Sequence, residues 1–162
     1  MKLTDYTYKF RIYPTPEQEV KLAKHFGSVR WCYNYFLNKR VKHYMTTKEQ
    51  DLEKKSLNYN DDAKALTELK QKTETEWLNE VNSQSLQHAL KHLDSSFNRF
   101  FKKLAKFPKF KSKNNKQSFR IPQHVKVENN KLHIAKFVMR QLQRTVQDNI
   151  MSALVFNEKS RN

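Results

Sequence analysis

The sequence has little glycine, little cysteine and one long stretch without acid. Gly27 is the single glycine in 162 residues. A Gly-rich phosphate loop needs several positions without a Cβ so that backbone N–H groups can close on a phosphate, and one glycine excludes it. The same scarcity points to helices joined by defined turns. Cys32 is the single cysteine. It can form neither an internal disulfide nor a four-cysteine zinc site, and a reducing, cytoplasmic setting follows as an expectation. No apolar run approaches the roughly 18 residues of a membrane span, so no membrane partner is expected. The opening MKLTDYTYKF has no apolar core of a signal peptide. Between Asp94 and Glu128 there is no Asp or Glu.

Positive charge fills the gap. Thirty-two Lys and Arg face sixteen Asp and Glu, giving +16. The sequence pI is about 9.9, the electrostatic footprint of a nucleic-acid binder. So large a one-signed charge opposes compaction unless an anionic partner neutralises it. The acid-free window holds Arg99, Lys102, Lys103, Lys106, Lys109, Lys111, Lys113, Lys116, Arg120 and Lys126. Its densest part is KFPKFKSKNNKQSF, residues 106–119, where Phe107 and Phe110 alternate with lysines. Cations neutralise phosphates and release counterions, while aromatics stack on splayed bases. The bland reading of this stretch is a solvated tether with its phenylalanines anchored to the core. At 37% hydrophobic and 12% aromatic residues, the chain can build a modest core. Its length suits one domain, or one domain with a second inserted into it.

The spacing of apolar residues predicts an α+β protein, mostly helical by residue count. Residues 6–13 alternate as a strand ended by Pro14. TPEQ (residues 15–18) then reads as a capping box with Pro at the first helical position. A helix is expected to about Phe26, a break at Gly27–Ser28, and a second helix over 29–45 with Trp31, Tyr35 or Phe36, and Val41 on its repeat. Residues 46–60 read as loop or frayed helix. Residues 60–73 read as helix with Ala65, Leu66 and Leu69 inward. EWLNEV is a turn anchored by Trp77. The clearest helix starts after Asn82 or Ser83, where Leu86, Leu90, Leu93, Phe97, Phe100 and Leu104 make one apolar seam. Arg99, Lys102, Lys103 and Lys106 crowd its end, more cations than the helix dipole needs. SFRIP, VKVE and KLHIA read as short strands, with a hairpin turn at Asn129–Asn130. A lone strand is unstable, so the N-terminal strand is expected to pair with these late ones. The helices are then an insertion into a small β domain.

Enzymatic constellations are thin. The acids are scattered, and Asp61–Asp62 reads as an exposed helix start rather than a Mg²⁺ site. His88 and His92 stand one helical turn apart, but HALKH lacks the glutamate of a metalloprotease helix. Cys32 has no neighbouring base. No cofactor, metal site or catalytic residue is expected.

Several blocks together resemble the N-terminal half of the TnpB (OrfB) family of insertion-sequence proteins. They are YKFRIYPTPEQ, GSVRWCYNYFLNKRVKHY, LNYNDDAKALTELK, WLNEVNSQSLQHALKHLDSSFNRFF and FPKFKSKNNKQSF, and the resemblance covers about residues 6–136. That family, long described as transposases, comprises RNA-guided DNA endonucleases related to type V CRISPR effectors. The resemblance implies a wedge β-barrel, here partial, interrupted by a helical recognition domain. On that reading residues 1–14 are the first wedge strand and 15–106 the inserted helices. Residues 15–45 are the part labelled a helix-turn-helix, and 107–136 are the basic linker and returning wedge strands. It also implies guide RNA and DNA as partners. By position, Tyr59, Ser83, Gln84 and Gln87 match family residues near the DNA motif beside the target. Gln87 is the best candidate for reading a base, because Gln pairs bidentately with adenine. The basic set, with Phe110 among it, should follow RNA or heteroduplex backbone.

The departures from the family are as informative. Its RuvC-like nuclease with three separated acids, and its zinc ribbon, have no counterpart in these residues, so binding without cleavage is expected. Residues 137–162 do not look like the family. Val138, Leu142, Val146, Ile150 and Leu154 step by four there and allow a helix, and a frameshift or truncation would explain the tail. Three other readings stay open: an inert degenerate product, a stand-alone DNA-binding repressor, and one half of a split nuclease whose catalytic half is a separate chain.

Overall fold

A computed structural model describes residues 5–49, 56–128, 131–134, 137–140, 142–144 and 154–159. The order of elements is β1 (Asp5–Ile12), α1 (Pro16–Glu49), α2 (Tyr59–Leu69), a 3₁₀ helix (Thr73–Glu80), α3 (Ser83–Phe101), then β2 (Val125–Glu128), β3 (Lys131–Ile134), β4 (Phe137–Arg140), β5 (Leu142–Arg144) and β6 (Leu154–Lys159). The residues up to Lys21 and from His124 onward form one compact unit, and Leu22–Gln123 form another.

The first unit holds two three-stranded antiparallel sheets, ordered β5-β1-β6 and β2-β3-β4. VKVE and KLHI pair with each other, Val125 opposite Ile134 and Glu128 opposite Lys131. The expected turn at 129–130 lies outside the described residues. Leu132 and Ile134 are buried between outward Lys131 and half-buried His133, the period of a strand with one covered face. Two expectations change here. The partners of β1 are β5 and β6, with Tyr8 opposite Phe156, and not VKVE or KLHI. Alternation identifies a strand but not the edge it seeks, and both edges of β3 are taken by β2 and β4. The described parts of the tail are strands where step-four spacing allowed a helix. Positions four apart share a face in either structure, because four is close to one helical turn and is also two strand repeats.

The second unit is helical. Its principal correction is α1, which runs unbroken through Gly27 and Ser28 where a turn was expected. His25, Ser28, Val29, Cys32, Tyr33, Phe36, Leu37 and Arg40 are its buried positions before the last turn. They step by three and one without interruption, so one stripe carries the helix across the glycine. A mid-helix glycine costs only about 1 kcal/mol relative to alanine, less than burying a few of those side chains returns. A Cβ at Gly27 would meet nothing within 4 Å. Of the expected repeat, Phe36 is fully buried and Trp31 and Val41 pack half-buried against the core, while the alternative Tyr35 is exposed. At the start of α1, Thr15 N–H donates to Gln18 Oε1 at 3.0 Å, one half of the expected box.

α2 begins at a capping box, where Asn58 accepts from Asn60 and Asp61 N–H and Asp61 accepts from Asn58 N–H. Asp62, expected at the surface, is fully buried. Arg40 explains it: Nε donates to Asp62 Oδ2 at 2.7 Å and Nη2 to Asp94 Oδ1 at 3.0 Å, tying α1, α2 and α3 together. Burial pushes the Asp62 carboxyl above its ordinary range, and the guanidinium opposes that. In the 3₁₀ turn, Leu78 is the anchor and is fully buried, while Trp77 is exposed and meets Trp31 edge-on at 5.1 Å. α3 starts at Asn82, whose side chain accepts from Gln84 and Ser85 N–H. Its seam holds through Leu86, Leu90, Leu93 and Phe97. It then fails, because the helix ends at Phe101 and Leu104 stands 68% exposed beyond it.

Candidate nucleic-acid interface

Residues 105–123 contain no helix or strand, yet they are neither free nor a tether. They form a strap held on the helices at several points. Asn34 of α1 clasps Lys111 at both backbone groups: Lys111 N–H donates to Asn34 Oδ1 at 2.8 Å, and Asn34 Nδ2 donates to the Lys111 carbonyl at 2.9 Å. Arg30 Nη1 donates to Gln117 Oε1 at 2.7 Å. Phe119 packs on His25 and Phe26, with ring centroids 5.4 and 5.1 Å apart. That contact, together with the polar and proline neighbours, keeps SFRIP in the strap and out of a sheet. Gln84 Nε2 of α3 donates to Gln123 Oε1 at 3.0 Å. Pro108 is buried. A segment dense in lysine is thus laid along the protein through its own neutral groups, the Lys111 backbone and the Gln117 and Gln123 side chains, so its exposed cations are not consumed in holding it.

The strap sorts its side chains. Lys109, Lys113, Lys116 and Arg120 are exposed, and Phe110 is 58% exposed. Lys111 departs from the expected phosphate row. Its Nζ lies 4.2 Å from the centroid of the Tyr33 ring, and burial lowers its pKa from the ordinary value. Of the strap's phenylalanines, Phe119 is an anchor, Phe107 packs edge-on against Phe97 and Phe100 while 46% exposed, and Phe110 is the most exposed. Arg99, Lys102, Lys103 and Lys106 are all exposed at the end of α3 and the start of the strap. None of these exposed cations forms an ion pair among the described residues.

Ser83, Gln84 and Gln87 lie in the first turns of α3. Gln87 is exposed. Gln84 is engaged with Gln123, and Ser83 Oγ accepts from Lys70 Nζ at 2.8 Å. Tyr59 sits at the first position of α2, half-buried, with Lys91 Nζ 5.6 Å from its ring centroid. Lys91 was missed in the sequence, although it lies one helical turn beyond Gln87 on the same face and so was within reach of pattern reasoning. Tyr33 and Asn34 were missed as well, and nothing local marks them.

The histidines report the field at this face. The His88 pKa is lowered by burial first, then by Arg120, His92, Lys91 and Lys111. The His92 pKa is lowered by burial and then by Lys111. Every charged group acting on them is cationic, so the face formed by α3 and the strap lacks an internal counter-charge. Among the described residues no cluster of His, Cys, Asp and Glu could hold a metal ion, and no helix is long and apolar enough to cross a membrane. Burial raises the Cys32 thiol to about 12, so it stays protonated and packs as a small apolar group.

Known proteins match parts of this chain. The OrfB/IS605 helix-turn-helix domain matches residues 1–49. A "putative RNA-guided DNA endonuclease" of Streptomyces pristinaespiralis is 40% identical over 106 residues, 65% of this chain and 25% of that protein. InsQ of Escherichia coli K12, with the same description, is 34% identical over 131 residues, 80% of this chain and 31% of InsQ. Virulence protein VsdF of Salmonella dublin is 35% identical over 117 residues, 67% of this chain and 93% of VsdF. The chain therefore spans between a quarter and a third of the length of the two endonuclease relatives.

Proposed function

Given that the chain belongs to the TnpB (OrfB) family of insertion-sequence proteins, we propose that it is the nucleic-acid-binding part of a TnpB-like RNA-guided nuclease. In this reading it binds a guide RNA and the DNA beside the target, and it does not cut. The family's three nuclease acids and zinc ribbon act from outside these residues, in the same assembly or on a separate chain. The strands of the first unit correspond to the wedge, and the helical unit to the recognition domain.

The observation that carries the reading is the strap. Hydrogen bonds from Asn34, Arg30 and Gln84 to neutral groups of the strap fix its course, while Lys109, Lys113, Lys116 and Arg120 are exposed with no acid between Asp94 and Glu128. A row of exposed cations without ion pairs among the described residues, on a segment held at several points, suits a backbone of regularly spaced phosphates, which it would contact without reading sequence. Gln87, exposed on α3 one helical turn before Lys91, whose ammonium lies over Tyr59, is the base-reading candidate.

The test is the salt dependence of binding. Lys109→Ala, Lys113→Ala and Lys116→Ala combined should flatten the slope of log K against log salt by about two to three units, since each phosphate contact contributes roughly 0.7–0.9. Lys111→Ala alone should change it little, because that ammonium sits over Tyr33. An unchanged slope in the triple variant would reduce the strap to a structural connection. Sequencing the RNA that copurifies from cells bearing the native locus tests the guide itself, and one discrete RNA is the expected result.

A further inference from the structure

Behind the exposed cations at the end of α3 lies a cavity of about 700 Å³ within the helical unit. We infer that it receives an unstacked base of a single-stranded nucleic acid, with the neighbouring phosphates held by Lys102, Lys103 and Lys106. The inference rests on the nucleic-acid reading above and extends it to a separate site, whose lining includes none of Lys109, Lys113, Lys116 and Arg120.

The walls are aromatic. Tyr44, Met45, Phe97, Phe100, Phe101 and Phe107 line the cavity, and its polar end carries Arg40, Asn58, Asp94 and Asn98. The four phenylalanines brace one another: Phe107 meets Phe97 and Phe100 edge-on, centroids 5.6 and 5.2 Å apart, and Phe101 lies 5.4 Å from Phe100. Yet Phe101 is 66% exposed, Tyr44 and Met45 are each 53% exposed, and Phe107 is 46% exposed. Apolar rings gathered at the mouth of a cavity and left in water mark a binding site rather than a core. Base-edge partners are present at the polar end. Asn58 spends its Oδ1 on the α2 cap, which leaves its amide N–H groups as donors. Asn98 donates to Asp94 Oδ2 at 3.1 Å, which leaves its carbonyl oxygen as an acceptor.

Charge selects the occupant. The chain from Phe101 to Phe107 joins two of the walls and carries Lys102, Lys103 and Lys106, all exposed. The one carboxylate in the lining, Asp94, is already bonded to Arg40. An apolar peptide would satisfy the rings and leave the lysine rim unmatched, whereas a nucleotide supplies a flat π face and a phosphate together. The backbone of that rim is strained. Lys103 has φ 59 at the position after the α3 C-cap, where Leu104 N–H reaches the Arg99 carbonyl and Lys103 N–H the Phe100 carbonyl. Glycine fits that turn at no steric cost, so a lysine there stands against the local backbone preference.

The experiment uses the full chain and a single-stranded oligodeoxynucleotide of about 12 residues carrying 2-aminopurine, a length within the usual site size. Phe101→Ala, at an exposed position, should weaken single-strand affinity by about tenfold. It should also abolish the 2-aminopurine fluorescence change while leaving the salt slope and duplex affinity as they were. Phe101→Trp should restore both losses. If Phe101→Ala binds the single strand as tightly as wild type while the Lys109/Lys113/Lys116 triple variant loses its slope, the base site is wrong and the cavity belongs to a protein partner. If neither variant changes binding, the nucleic-acid interface itself falls and the base site with it.

Discussion

Lys111 and Lys113 stand two residues apart in the same basic run and do different work. Lys113 is exposed, whereas Lys111 lies over Tyr33 with its backbone locked by Asn34. Its ammonium therefore acts inward, on His88 and His92, and lowers the pKa of both together with burial. The sign of the consequence is definite. A histidine whose folded pKa is below its unfolded value of about 6.5 binds fewer protons folded than unfolded, so its contribution is intact above that pH and is lost as pH falls through the folded values. Unfolding free energy from urea titrations should drop between about pH 7.5 and 5.5. The drop should be smaller in a His88→Gln/His92→Gln variant. A bound phosphate supplies the counter-charge this face lacks, so nucleic-acid affinity should rise over the same window. Of the single residues, the exposure of Gln87 and of Lys109, Lys113 and Lys116 was legible from sequence, because polar side chains there have no apolar surface to bury. Lys111 was misplaced because a cation over a ring 78 positions earlier leaves no local mark.

The long helix is where element and pattern part company. Gly27–Ser28 carries the punctuation of a helix break, yet α1 is one element from Pro16 to Glu49. Its continuity is secured by the stripe from His25 to Arg40, which packs against Leu66, Leu78, Leu86 and Leu90 in one core. With no atom near the position of a Cβ and no positive φ at Gly27, Gly27→Ala should stabilise the protein by about 1 kcal/mol through helix propensity and reduced freedom of the unfolded chain. A chemical denaturation midpoint checks it. A loss of stability instead would show that a turn forms at this position in solution. α3 was read well because its start is capped by Asn82 and its seam is regular. Its end was misread because the seam spacing continues to Leu104 while the backbone has already turned at Lys103.

At the scale of the whole molecule, +16 is the dominant fact. The ion pairs of Arg40 are buried, whereas Lys24–Glu80 and Lys126–Glu128 lie in water, and 32 cations face 16 acids, so the cations repel with only partial compensation. Raising chloride from about 0.05 M to about 0.5 M shortens the screening length from beyond 10 Å to below it. Thermal unfolding should therefore shift upward, by about 2–8 °C for each kcal/mol of repulsion removed. A polyanion should give a larger shift at low salt because it binds only the folded arrangement of charges. A falling Tm across the salt series would mean that ion pairs outweigh repulsion.

The sequence by itself determined what depends on composition and short-range order. The excess of cations, the acid-free window, the capped starts of α1 and α3 and the hairpin strands VKVE and KLHI follow from local chemistry that tertiary packing did not override. Tertiary structure decided what depends on distant partners. It chose β5 and β6 as the partners of β1, buried Asp62 under Arg40, and carried α1 through its glycine. It also turned a basic stretch into a docked strap, because Asn34, Arg30 and Phe26 lie in α1, tens of residues earlier in the chain. It closed a cavity at the end of α3 by bringing Tyr44 and Met45 of α1 to the phenylalanines of residues 97–107. Each of these rests on groups that meet only after the chain has folded, so no window of neighbouring residues contains both halves of the interaction.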